Sequence, residues 1–139
     1  MVEEFRSQDQ LAGLDDAARA LVAGRVGAVL SAETTSPADR LAAEMLAQDI
    51  ARDVVEQVRC ALSNAIRNAH HLPRPLAMML AHDVDSVACP FLEVTEVFTE
   101  ADWQPLILTI SRNARVSVAR RENMPDSLAL SLAEIGDSV

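Results

Sequence analysis

Lysine is absent from this 139-residue sequence, and all twelve basic residues are arginine. Against twenty-one acidic residues they leave a formal net charge of −9, a balance that argues against binding the phosphate backbone of nucleic acid, which calls for a basic surface. Aromatic residues are scarce: Phe5, Phe91, Phe98 and Trp103 are the whole set. Ala and Leu dominate where a β protein would carry Val, Ile, Tyr and Thr, so the chain reads as helical. Two cysteines, Cys60 and Cys89, are too few for a secreted disulfide framework, and nothing near them has the close Cys or His spacing of a zinc site. They read as free buried thiols. No run approaches the roughly 18 to 20 uninterrupted apolar residues of a membrane-spanning helix, and the stretch Met1 to Asp9 is acidic rather than a basic signal-peptide start. Those absences point to a cytoplasmic protein with no membrane partner. G-x-S-x-G, P-loop, G-x-G-x-x-G and H-E-x-x-H are also missing, which removes the anchor for nucleophile, nucleotide and zinc-protease readings.

What is present is a succession of helix signals in a length that suits one domain. Leu11, Leu14, Ala18, Leu21, Val22, Val26 and Val29 recur at spacings of three and four, which predicts one long amphipathic helix over 10–30 with Asp9 or Ser7 as its cap. Ser36, Pro37 and Asp39 supply an N-cap, a first-turn Pro and a first-turn acid for a second helix with Leu41, Ala42, Met45 and Leu46 on its buried face. That helix runs to about Arg52 and breaks near Asp53, before a third over 54–68. Pro73 and Pro75 open a fourth helix with Leu76, Met79 and Leu80 as its stripe. A fifth spans 86–94 despite Pro90, Thr99 caps a sixth running through Ser111, a seventh covers 116–121, and Pro125 opens an eighth.

The chain also repeats itself. Leu72, Pro73, Leu76, Ala77, Leu80 and Ala81 match Met124, Pro125, Leu128, Ala129, Leu132 and Ala133 at a constant offset of 52 residues. Val58, Cys60, Ala61 and Leu62 match Val87, Cys89, Pro90 and Phe91 at an offset of 29. A unit of two short helices cannot bury its apolar face alone, so copies stack and share one core. The expected fold is therefore all-α: short antiparallel helix pairs stacked as a HEAT-like α-solenoid over residues 36–139, preceded by an N-terminal helix and linker over residues 1–35 that pack with them as one domain.

From Asp53 to Arg59 the sequence D-V-V-E-Q-V-R resembles the HEAT-repeat signature. In that family the Asp and Arg tie each turn to its neighbour; Asp83 with Val87, and Asn113 with Val118, occupy analogous places here, both without the Arg. The order of Val58-Arg59, Leu72-Pro73, Leu76 to Asp83, Val87 to Glu93 and Val118 to Arg121 resembles an uncharacterised bacterial family of HEAT-like proteins known as domain of unknown function 2336. The resemblance covers roughly residues 40 to 137 and implies a bacterial regulatory or scaffolding role. Members of that family continue past the equivalent of Gly136-Asp137, which implies that this chain is a fragment or a truncated member.

Several residues carry candidate chemistry. His82-Asp83, completed by His70 or His71 with Asp126, would suit a metal-dependent hydrolase, but a separation of eleven or twelve positions from His82 is too little for the helices that hold such ligands apart. His70 and His71 are better placed to bond the last carbonyls of the preceding helix. Cys60 and Cys89 are equivalent positions, yet stacked repeats lie about 10 Å apart, beyond disulfide reach. Arg112, Arg115, Arg120 and Arg121 form a basic cluster in an acidic chain and read either as an anion-recognising patch or as ladder charges paired with Asp83, Glu93, Glu122 or Asp126, the duller and preferred alternative. Trp103 is either a contact anchor or part of the core. The reading that follows is a non-enzymatic module with no cofactor, binding a protein or peptide through Arg112, Arg115, Arg120, Arg121 and Trp103. The alternatives are a small metal-dependent helical hydrolase using His70, His71, His82 and Asp83, and a homodimer formed through the first helix at Gly24 and Gly27. Nucleic-acid binding by the arginines is the weakest.

Overall fold

The computed structural model describes residues 11–137, and eight helices lie wholly within them: α1 (Asp16–Ser31), α2 (Pro37–Ile50), α3 (Glu56–Ile66), α4 (Arg74–Ala81), α5 (Asp85–Val94), α6 (Glu100–Leu106), α7 (Arg112–Ala119) and α8 (Asp126–Asp137). No strand occurs among the described residues, and none of their helices is long and apolar enough to cross a membrane.

Local chemistry sets the boundaries. The long first helix expected over 10–30 is interrupted at Gly13 and Leu14. The Asp15 side chain accepts the Ala18 N–H at 2.8 Å and starts a new helix there, while Arg19 Nη1 donates to the Leu14 carbonyl at 2.7 Å and pins the turn. The caps expected from Ser7 or Asp9 lie outside the described residues. Ser36 and Pro37 open α2 as expected, with Ser36 Oγ accepting the Asp39 N–H at 3.2 Å. α6 is shorter than expected, because Ser111 does not end it; Ser111 caps α7 instead, accepting the Ala114 N–H at 3.0 Å. Thr99 and Asp102 close a reciprocal capping box on α6.

Pro90 lies inside α5 and cannot donate to the Ser86 carbonyl four residues before it. The Cys60 thiol stands 3.6 Å from that carbonyl, a weak donor occupying the vacated place. Both cysteines are free and half-buried.

Alternate helices touch in sequence order: α1 packs on α3, α3 on α5 and α5 on α7. The intervening helices join from the side through α1 with α2, α4 with α5, and α6 and α7 with α8. One hydrophobic core includes residues from Leu11 to Leu128, so α1 shares its core with the helices that follow. A close approach in that row is at Gly27, whose missing Cβ would stand 2.2 Å from the Ala65 Cβ. Hydroxyls staple the row: half-buried Ser31 Oγ donates to the Ala65 carbonyl at 3.1 Å and buried Ser63 Oγ to the Val87 carbonyl at 2.7 Å.

The expected stripes of α4 and α8 are buried where they matter most, with Leu76, Leu80 and Leu128 wholly inaccessible. Those expected of the first two helices are borne out in part: Leu11 and Val26 are buried, and Leu14, Val22, Val29 and Leu46 pack against the core. The core takes Ala23, Val26, Gly27 and Leu30 from α1 and Ala43, Ala47 and Ile50 from α2. Leu21 stays 73% exposed, and Leu41 and Met45 59% each. Both helices are apolar on more than one side, and α1 meets α3 through the side that carries Gly27, where the small residue permits the close approach of Ala65.

Candidate functional site

Carboxylates at two inter-helix turns, and one at the start of α5, join helices distant in sequence. Asp53, between α2 and α3, accepts Arg19 Nε at 2.6 Å and Nη2 at 3.2 Å, and its Oδ1 also accepts the Val55 N–H. Asp83, between α4 and α5, accepts Arg59 Nε at 2.8 Å and Nη2 at 3.1 Å together with the Val84 N–H. Asp85 accepts the Ser111 hydroxyl at 2.6 Å and the Asn113 amide at 2.8 Å. Asp83 is therefore met by Arg59 of the preceding helix pair, while the position after Val87 is Ala88 and the motif's own Arg is absent there. Arg19 plays the same part for Asp53, and sequence reasoning missed it because the two stand thirty-four positions apart with no local pattern linking them.

These contacts shift the ionisations. Burial alone would raise the Asp53 carboxyl, but the hydrogen bonds from Arg19 and the Val55 N–H, with the charges of Arg19 and Arg59, outweigh it and hold it below the usual carboxylate value. Ser111 and then Asn113 pull Asp85 down, and the Thr99 N–H followed by Arg74 does the same for Asp102. A carboxyl depressed in the folded state contributes stability that is complete above its unfolded value near ~4 and drains away as pH falls through the folded value. Melting temperature should therefore hold steady from neutral pH down to about 5 and fall below about 4. Asp53→Asn should flatten part of that acid decline; a decline parallel to the parent's would show that this rung plays no part in it.

The arginine cluster divides. Arg121 is half-buried: its Nη1 donates to the Leu92 carbonyl at 2.7 Å and its guanidinium lies 4.7 Å from the Trp103 ring centroid. Burial pushes its ionisation downward, with Glu96 opposing. Arg115 Nη1 donates to the Ile110 carbonyl at 3.0 Å. Both tie loops to helices through main-chain carbonyls, not through Asp83, Glu93, Glu122 or Asp126. Arg112 and Arg120 are the exposed members. Trp103 is 3% exposed and meets Phe98 edge-on at 5.1 Å, so it belongs to the core and its ring is not on offer to a partner.

The histidines are dispersed. His82, not His70 or His71, satisfies a helix end: its Nδ1–H donates to the Met78 carbonyl at 2.9 Å, and its Nε2 faces Thr109 Oγ1 at 2.7 Å. Asp83 points instead to Arg59, and His70 lies 3.6 Å from Glu33 at the far end of α1. The structure does not bring His70, His71, His82 and Asp83 together, and among the described residues no three His, Cys, Asp or Glu side chains converge as metal ligands would.

The feature that remains is the outer side of α1 and α2. Leu21, Val22, Val29, Ala42 and Leu46 line an open groove of ≈ 860 Å³ between the two helices, and the exposed Leu41 and Met45 extend α2's apolar surface. Arg25 stands on the α1 side and Asp39 on the α2 side. Gly27 is committed inward to Ala65, so it is not available for a helix contact outside the chain, whereas Gly24 would have nothing within 4 Å of an added Cβ. Sequence reasoning found these leucines and the methionine by their periodicity but assigned them to the core.

Compared with family profiles, with curated proteins and with solved structures, the chain gives no match.

Proposed function

We propose that this chain is a non-enzymatic protein-interaction module, a HEAT-like stack of helix pairs whose docking surface is the outer side of α1 and α2. The ordered contacts of α1, α3, α5 and α7 support the stacked reading, as do the successive Asp53, Asp83 and Asp85 rungs. The observation that carries the functional reading is the exposure of Leu21, Leu41 and Met45 on one helix pair, beside an apolar groove large enough to seat a row of side chains. Large apolar side chains grouped on an exposed surface mark a contact site more often than a neutral one. The partner that fits is an apolar protein segment, with Arg25 and Asp39 able to set its orientation.

The test is affinity capture from the native cell with the parent chain, with Leu41→Glu/Met45→Glu, and with Arg112→Glu/Arg120→Glu, each checked for folding by circular dichroism. A protein held by the parent and the arginine variant but lost by the leucine–methionine variant is the expected result. The opposite pattern would move the surface to the exposed arginines, and capture of nothing specific by any of the three would count against an interaction module.

A further inference from the structure

We propose that the occupant of the α1/α2 surface is the same surface of a second copy, in a two-fold dimer that packs the two helix pairs against each other. The inference rests on the reading of that surface as a docking site, and three observations point to self-association.

The first is Gly24. A glycine in the middle of a helix is unfavourable relative to alanine, and at Gly27 the fold requires it because Ala65 fills the space of a side chain. At Gly24 nothing among the described residues requires it, since an added Cβ meets only open space there. The bare backbone there lies one turn from the exposed Leu21 and permits a helix from outside to approach closely.

The second is charge. The chain carries a formal net charge of −9, so most of its surface repels a second copy. The groove bears one Arg and one Asp, on opposite helices. A two-fold axis between the copies makes the contact isologous and sets Arg25 of each against Asp39 of the other. The pairing is self-complementary, and two acidic molecules meet where their charges balance.

The third is shape. A helix of 16 residues beside one of 14 presents a surface about 24 Å long. Exposed Leu21, Leu41 and Met45 on that surface are the large members of a self-matching set, with Gly24, Ala28 and Ala42 as the small members that receive them.

Sedimentation equilibrium of the full chain, from low to high micromolar, tests this. The expected mass moves toward twice 15.0 kDa as concentration rises, and Gly24→Leu returns it to the monomer while keeping the helical signal and leaving the monomer at least as stable as the parent. Arg25→Asp and Asp39→Arg should each weaken the dimer at least tenfold, and the double exchange should restore most of the loss. A parent chain that stays monomeric at high micromolar concentration overturns the dimer. So does a dimer indifferent to Gly24→Leu and to the charge exchange. Neither result would overturn the docking surface itself, which fails if Leu41→Glu/Met45→Glu changes neither the mass of the parent chain nor its capture of other proteins.

Discussion

Gly27→Ala is expected to destabilise the fold by about 2–3 kcal/mol, an unusual cost for adding one methyl group to a helix. The added Cβ would stand 2.2 Å from the Ala65 Cβ, 3.0 Å from its carbonyl carbon and 3.1 Å from its Cα. Two of those three atoms are backbone and the third is a methyl fixed to it, so no flexible side chain can swing away. α1 and α3 would have to separate, loosening the Ser31 bond to the Ala65 carbonyl at the same interface. Against this, alanine gains only about 0.5–1 kcal/mol in helix propensity. Gly24→Ala supplies the control: with nothing near its Cβ it should keep that gain and raise stability. Urea unfolding of the two variants at low protein concentration, where association does not contribute, should give shifts of opposite sign. Equal shifts would mean that α1 does not pack on α3 through Gly27.

Leu76→Ala and Leu128→Ala are both expected to cost about 2–5 kcal/mol, with Leu76 near the upper end and Leu128 near the lower. The two are equivalent positions in the repeat and are both fully buried, so the removed side chain is the same and only the surroundings differ. Around Leu76 the matching residues Ala77, Leu80 and Ala81 are buried as well, which leaves a cavity with rigid walls. In α8 their counterparts Ala129 and Ala133 are exposed and Leu132 is only half-buried, so that helix can shift inward and close part of the void. Chemical denaturation of the pair would measure the difference, and a larger cost at Leu128 would contradict this account of how the last described helix is held.

Much of this fold is legible in the sequence, for reasons particular residues make clear. Ser36-Pro37, Thr99 and Pro125 act within three or four residues of themselves, so the helix starts they predict are present. Leu76, Leu80 and Leu128 are buried as their spacing predicts, although Leu130 of α8 stays 69% exposed. In α1 and α2 the spacing picks out exposed Leu21, Leu41 and Met45 together with buried Val26, and the contact of Gly27 with Ala65 is made only in the folded chain. The rungs Arg19–Asp53 and Arg59–Asp83 depend on tertiary contact over 34 and 24 residues, beyond any local pattern. The arginine cluster was visible as a run of charge, but Arg115 and Arg121 spend that charge on the carbonyls of Ile110 and Leu92. The surface proposed for binding was therefore concealed among residues that read as core, and half of the cluster that read as a surface is structural.

That exchange of roles is the central claim, and site-specific photo-crosslinking in the native cell tests it most directly. A photoreactive side chain placed at Leu41 and, separately, at Arg112 reports what touches each position without altering the core. The account predicts a discrete protein adduct from Leu41, to a second copy of the chain or to another protein, and none from Arg112. A discrete adduct from Arg112 with none from Leu41 would contradict it.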